Sequence, residues 1–166
     1  MASTHDEQLK ESLRIGVTFG LTSAVITTTG LMVGLNASTG SRLAVIGGIL
    51  TIAIADAFSD ALGIHIAEES ENRHTPKEIW LSTIFTFLAK FIFALTFIIP
   101  VLIFRLPVAV IINLVWGLSL LAILSWKIAK MQNEKPAKII FEHLFVAIIV
   151  IGLATIIGNW IARTFN

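Results

Sequence analysis

Five long apolar runs, separated by short polar stretches, set the pattern of this chain. Each run reaches the roughly 20 residues that a helix needs to cross the hydrocarbon core of a bilayer, whereas barrel strands are about half as long. The pattern therefore predicts an all-α integral membrane protein, a five-transmembrane-helix bundle in one domain over residues 15–166. The predicted helices cover residues 15–36, 43–66, 79–104, 107–126 and 139–162.

Short connections with turn-forming residues join the apolar runs, at residues 36–40, 75–76, 105–107 and 135–136. Residues 1–14, before the first run, are polar, and Thr4 to Glu7 has the spacing of a helix capping box. We expect this segment to be cytoplasmic or interfacial and to lead into the membrane as a short helix.

The basic residues predict the orientation of the bundle. They fall into a larger set on one side of the membrane and a smaller set on the other. The positive-inside rule then places the N-terminus in the cytoplasm and the C-terminus outside. The larger set is Lys10, Arg14, Arg73, Lys77, Lys127, Lys130, Lys135 and Lys138, and the smaller is Arg42, Arg105 and Arg163.

Composition narrows the function classes. Only 14% of the residues are charged and 55% are hydrophobic, which is typical of a multi-pass membrane protein, in the cell membrane if the source is prokaryotic. The absence of cysteine excludes thiolate metal sites, and a formal net charge of +1 gives no argument for nucleic acid. No serine elbow, phosphate loop or zinc-protease motif is present, so we do not expect an enzyme.

Two carboxylates, Asp56 and Asp60, lie inside the second apolar run. Each costs roughly 2.5–3.5 kcal/mol at the centre of a bilayer, and residues four apart share one helix face. We infer that this face lines a cation site. The alternative is that Asp56 neutralises a lysine structurally while Asp60 sits protonated at a helix contact.

Lys90 lies inside the third run, about 16 Å from its cytoplasmic end at 1.5 Å per residue. On the same count Asp56 is about 15 Å deep and Asp60 about 9 Å deep. The depths predict a buried Lys90–Asp56 ion pair, with Asp60 left unpaired. Lys90 is then either a gate that occupies the empty cation site or a fixed counter-ion. Ser23 and Thr27 of the first helix are candidate hydroxyl ligands opposite the carboxylates.

An acidic cluster follows the second run, at Glu68, Glu69 and Glu71. Together with Glu142 near the start of the fifth helix, and with His65 and His143, it could form a cytoplasmic mouth that concentrates divalent cations. The commoner alternative for such a run is a solvated face.

Small residues in the first helix recur at four-residue spacing, which lets helices approach closely and often forms dimer contacts. We therefore expect a homodimer through the first helix. The residues are Gly16, Gly20, Ala24 and Thr28, repeated at Gly30 and Gly34.

Several stretches, in order, resemble motifs of the vacuolar iron transporter family. Residues 19–28 (FGLTSAVITT) resemble its first-helix motif, Phe-Gly-x-x-Asp-Gly-Leu-Val-Thr-Thr. Residues 55–63 (ADAFSDALG), followed by Glu69 and Glu71, resemble its second-helix motif, Ala-Asp-Gly-x-Ser-Met-x-x-Gly with an acidic exit. Residues 86–89, 99–100 and 152–158 resemble parts of its third and last helices.

The resemblance implies export of cytosolic ferrous iron or manganese by a homodimer in exchange for protons. Two departures change the ligand set: Ser23 stands where the family has aspartate, and Asp60 where it has methionine. Oxygen in place of sulfur suits Mn²⁺ or Mg²⁺ better than Fe²⁺. The family's glutamate-rich cytoplasmic domain is absent, since only residues 67–78 join the second and third helices.

The sequence therefore predicts a transporter of Mn²⁺ or Fe²⁺ in the bilayer, with no permanently bound cofactor and H⁺ as a possible coupling ion. The alternative is a non-transporting membrane scaffold or subunit on the same fold, with a decayed ion path.

Overall fold

Proline, glycine and asparagine mark the ends of the helices in a computed structural model. The structure describes the backbone of residues 2–165, and the side chains of residue 7 and of residues 9–165. Gly40, Asn72 and Asn133 have positive φ after helix ends. The helices are α1 Ala2–Thr39, α2 Arg42–Thr51, a π-helical turn Ile52–Asp56, α3 Ala57–Glu71, α4 Pro76–Thr96, α5 Ile98–Ile103, α6 Leu106–Met131 and α7 Pro136–Phe165.

Five helical stretches are long and apolar enough to cross a membrane, as the hydrophobic pattern predicts. They are Leu9–Thr39, Arg42–Glu71, Pro76–Ile103, Leu106–Met131 and Pro136–Phe165. No strand occurs in the described residues. The chain therefore has the build of a multi-pass integral membrane protein, and its exposed apolar side chains are compatible with contact to lipid.

The N-terminal polar segment is continuous with the first span, because α1 begins at Ala2. A helix that already includes Thr4 does not start there, so the proposed capping box does not mark the helix end. The side chains of Thr4, His5 and Asp6 lie outside the described residues.

The chain packs as two compact units, one of Met1–Ala24 and Thr51–Leu95, the other of Val25–Leu50 and Thr96–Asn166. In the first unit, α1 and α4 run parallel with their backbones in close contact. A Cβ built on Gly16 would lie 2.5 Å from the Ser82 carbonyl oxygen, and one on Gly20 would lie 2.5 Å from that of Thr86. Only glycine allows this approach, which positions α4 for the site described below.

In the second unit, α1 packs against α7 in the same way. A Cβ on Gly158 would lie 2.5 Å from the Gly34 carbonyl oxygen, and one on Gly30 would lie 3.0 Å from Val150. The small residues of α1 are therefore used in packing within the chain. The expectation of a homodimer through α1 rested on their being available, and the structure gives it no support.

A break in the third span separates α4 from α5 at Phe97. Pro100 has no backbone N–H and its ring crowds the carbonyl four residues earlier, which interrupts the helix. Asn113 of α6 contacts the chain at this break, because its Nδ2 donates a hydrogen bond of 2.8 Å to the carbonyl oxygen of Phe97. Asn113 is fully buried and holds α6 to the break.

The α1–α4 contact gives a direct test. In Gly20→Ala the new methyl group meets a backbone oxygen that cannot rotate away, so the helices must separate. We expect a loss of about 1–3 kcal/mol in the free energy of unfolding in detergent, the usual effect of overpacking.

Gly63→Ala is the matched control, because Gly63 is helical and a Cβ there meets nothing within 4 Å. It should be neutral or stabilising. Equal losses in the two variants would contradict the close α1–α4 contact.

Candidate functional site

The candidate site lies in the first unit and is centred on the ammonium group of Lys90. Its Nζ lies 2.5 Å from Oδ2 of Asp56 and 2.5 Å from Oδ2 of Asp60. It also donates a hydrogen bond of 2.9 Å to Ser23 Oγ. An ammonium group has three donors, so these three oxygens, one from α1 and two from the second span, satisfy the ammonium of α4 completely.

The structure confirms the predicted Lys90–Asp56 pair and corrects the expectation for Asp60. Asp60 is not unpaired, since it contacts the same nitrogen as Asp56. The depth count treated the two carboxylates as lying at separate levels, whereas a long lysine side chain between them reaches both. We name Asp56, Asp60, Lys90 and Ser23 the carboxylate–lysine cluster.

A π-helical turn, Ile52–Asp56, brings Asp56 to the cluster. The turn contains neither proline nor glycine, so no residue in it signals the irregularity. The backbone N–H of Ala57, immediately after the turn, bonds to the carbonyl oxygens of Ile52 and Ile54. Single π-helical turns inside α-helices are rare and often occur at functional sites, which agrees with this position.

The cluster is buried on its basic side and partly open on its acidic side. The Lys90 side chain is 0% exposed, that of Asp60 is 19% exposed and that of Asp56 is 36% exposed. One positive charge stands against two carboxylates, so the ionised cluster has an excess negative charge. Asp56 is the member that an approaching cation could reach first.

A buried polar stripe on α4 continues from Lys90. Glu78, Ser82, Thr86 and Lys90 follow at four-residue intervals, and all four are 0% exposed. Thr86 Oγ1 donates to the Ser82 carbonyl oxygen at 2.8 Å. Of these four residues, Lys90 alone was predicted to belong to the site, although the regular four-residue spacing was a signal that could have found the other three.

The acidic residues at the end of α3 do not share one environment. Glu68 is buried, with Oε2 2.6 Å from Ser82 Oγ, whereas Glu69 and Glu71 are exposed. Glu142 is exposed on α7, in the second unit. In the part of the chain that the structure describes, no three histidine, aspartate or glutamate side chains group to hold a metal ion.

The two histidines of the predicted mouth each contact a hydroxyl group. His65 Nδ1 lies 3.0 Å from Thr83 Oγ1, and the His65 ring packs against Trp80 at 4.7 Å between centroids. His143 Nδ1 lies 2.7 Å from Ser125 Oγ. Of the two predicted hydroxyl ligands on α1, Ser23 accepts a hydrogen bond from Lys90. Thr27 belongs to the second unit.

Comparison of the chain with protein-family models, curated proteins and solved structures gives no significant match. The likeness to the vacuolar iron transporter family therefore rests on the motifs in the sequence.

Removing the ammonium group tests whether the cluster holds the unit together. In Lys90→Met two carboxylates lose their only described basic partner, and breaking a buried pair in this way costs about 3–5 kcal/mol. We expect a loss in the lower part of that range, because Asp56 is partly exposed and water stabilises its charge. The measurement is the free energy of unfolding in detergent.

Adding Asp60→Asn to the Lys90→Met variant should restore part of the stability, since one uncompensated charge is removed. Asp60→Asn alone should lower the free energy of unfolding less than Lys90→Met does, because the ammonium group still has Asp56 as its ion-pair partner. Strictly additive losses across this double-mutant cycle would show that the two side chains are not coupled.

Proposed function

We propose that this chain transports a divalent metal cation across a membrane and that the carboxylate–lysine cluster is its ion-binding site. The observation that carries the proposal is the convergence of Asp56, Asp60 and Ser23 on one positive centre. Ionisable groups within a membrane span are costly and mark ion or proton pathways in most cases.

The oxygen atoms of the cluster suit a cation in the place of the ammonium nitrogen. Both carboxylate oxygens lie 2.5 Å from that nitrogen, and hard divalent cations bind oxygen at about 2.0–2.6 Å. Small inward shifts of Asp56 and Asp60 would give two charged ligands. Ser23 Oγ would be a third ligand, and water would complete the coordination.

A charge argument couples the metal ion to a proton. A divalent cation between the carboxylates repels a protonated Lys90. Lys90 is fully buried on α4, so its side chain stays close to them. If Lys90 releases its proton as the metal ion binds, the neutral amine can stay beside the ion. One divalent ion then exchanges for one proton, and the cluster, which has an excess negative charge with the ammonium in place, becomes neutral with the metal ion bound.

The ligand types favour Mn²⁺ over Fe²⁺. The cluster offers carboxylate and hydroxyl oxygens and no sulfur, and such ligands suit Mg²⁺, Ca²⁺ and Mn²⁺. The resemblance to vacuolar iron transporters points to Mn²⁺ and Fe²⁺ among the transported ions. Transport of Mn²⁺ out of the cytoplasm agrees with both the ligand types and the family resemblance.

The remaining details of the proposal follow from the sequence. The N-terminus is cytoplasmic and the C-terminus outside, as the distribution of basic residues favours. Glu69, Glu71 and Glu142, which are exposed, attract cations to the cytoplasmic side. The cell membrane is the location in a prokaryote. A homodimer, which the family resemblance implies, completes the proposal.

The Asp60→Asn variant tests the ion site. The amide keeps the shape of the side chain but removes the excess negative charge, so the cluster no longer attracts a divalent ion. We expect Mn²⁺ uptake into proteoliposomes, followed with a trapped metal-sensitive dye, to fall to the level of empty liposomes.

Glu134→Gln is the matched control, because Glu134 is exposed in the connection between α6 and α7. It should transport Mn²⁺ as the unmodified chain does. Undiminished uptake by Asp60→Asn would overturn the assignment of the site.

One observation favours a second function, that of a non-transporting scaffold or subunit. A single ammonium group already contacts both carboxylates, so the cluster could be a fixed structural contact. On this hypothesis no metal ion binds, and Lys90 serves stability alone.

A metal-titrated melting scan separates the two functions. A ligand that binds only the folded state at a hundred times its Kd adds about 2.7 kcal/mol. For a transporter, we expect the Tm to rise with Mn²⁺ in the unmodified chain and not in Asp60→Asn. No rise with Mn²⁺, Fe²⁺, Mg²⁺ or Ca²⁺ would support the scaffold.

A further inference from the structure

Two arginines, Arg42 and Arg105, stand close together at one end of the second unit. Arg42 begins α2, and its Nη2 donates a hydrogen bond of 2.7 Å to the carbonyl oxygen of Phe104. That carbonyl belongs to the peptide bond between Phe104 and Arg105, so the guanidinium group of Arg42 lies beside the backbone of Arg105. The hydrogen bond joins residues 62 positions apart in the chain. We name Arg42 and Arg105 the arginine pair.

The arginine pair has no acidic partner among the described residues. Both side chains are exposed, and none of the ion pairs between described residues includes either of them. The acidic side chains of the second unit are Glu134 and Glu142. Both lie toward the far end of α6, which is 26 residues long, or about 39 Å at 1.5 Å per residue. Two positive charges are therefore placed side by side, away from the acids of their own unit.

The ends of the spans place the arginine pair at the level of the lipid headgroups. Arg42 is the first residue of the second span, and Arg105 lies between the end of the third span and the start of the fourth. The residues next to the pair in the chain are apolar and exposed, namely Leu43, Leu102, Ile103 and Phe104. Phosphate groups lie just outside the hydrocarbon core of a bilayer. The pair thus offers positive charge at phosphate level, with apolar surface beside it.

The contact of Arg42 with the backbone prepares it to bind an oxyanion. A guanidinium group has five N–H donors, and the Phe104 carbonyl takes one of them at Nη2. That bond restricts the side chain and leaves the other donors for a ligand. Arginine forms paired hydrogen bonds with the oxygens of a phosphate group, and a second arginine alongside adds charge of the same sign.

We propose that the arginine pair binds the phosphate group of an anionic phospholipid, whose acyl chains lie along the exposed apolar side chains beside the pair. The phosphate supplies the negative charge that the second unit lacks at this end. A zwitterionic phospholipid also has a phosphate group, but its cationic headgroup is repelled by the two arginines. The inference does not depend on metal transport, because it rests on residues of the second unit alone.

Thermal unfolding of the full chain in detergent micelles, titrated with phosphatidylglycerol, tests the proposal. A ligand that binds only the folded state raises the Tm as its concentration exceeds its Kd. We expect phosphatidylglycerol to raise the Tm of the unmodified chain more than phosphatidylcholine does at the same molar fraction. Arg42→Gln and Arg105→Gln should each weaken the apparent affinity for phosphatidylglycerol about fivefold, the usual contribution of one basic residue near an anionic membrane surface.

Arg163→Gln is the matched control, because Arg163 is an exposed arginine of the same unit, in the last turn of α7. It removes the same charge and should leave the affinity unchanged. Arg105→Lys keeps the charge but not the planar guanidinium group, so it should weaken binding less than Arg105→Gln. Arg105→Gln leaves the Arg42–Phe104 hydrogen bond in place, so its effect does not come from loss of that contact.

Two results would overturn the proposal. Equal weakening in Arg42→Gln, Arg105→Gln and Arg163→Gln would mean that the lipid responds to positive charge in general and not to the arginine pair. A Tm rise of the same size with phosphatidylcholine, or with inorganic phosphate alone, would mean that an anionic phospholipid is not the ligand.

Discussion

The contact of one buried ammonium group with two carboxylates and a hydroxyl determines how the first unit is arranged. Lys90 is fully buried, and its burial is tolerable only because Asp56, Asp60 and Ser23 surround it. Three segments distant in sequence must therefore meet at one depth. Glycine at positions 16 and 20 makes this possible, because α1 can approach α4 until the backbones touch. In a bilayer there is little hydrophobic drive between helices, so close packing and polar contacts of this kind decide the structure.

The same contact bears on both functions considered. As a resting state of a transporter, it shows what holds the carboxylates together when no metal ion is bound, and it explains why a proton and a divalent ion would exchange. As a permanent contact, it explains how a scaffold tolerates acids inside a membrane span. The two differ in whether Lys90 gives up its proton to an incoming cation, which is a question of energy and not of geometry.

The sequence predicted the helices well and the site only in part. Long apolar runs and the turn residues between them were sufficient for five spans, because backbone hydrogen bonding in lipid leaves few alternatives. Depth counting found the Lys90–Asp56 pair, since the rise per residue of a helix is fixed. It missed the second contact, at Asp60, because an estimate of backbone depth takes no account of how far a lysine side chain extends. The burial of Glu68, and its separation from Glu69, could not be predicted either, because helix rotation depends on tertiary packing.

The π-helical turn at Ile52–Asp56 has a consequence for the helix that contains it. Each residue of an α-helix advances the side-chain direction by about 100°, and a π-helical turn accommodates a residue more than an α-turn does. The two halves of the Arg42–Glu71 span therefore follow patterns that are offset in phase, although the apolar run is continuous. Within the first unit, Asp56 ends the π-helical turn and Asp60 follows it by four residues of α3, and both carboxylates contact Lys90.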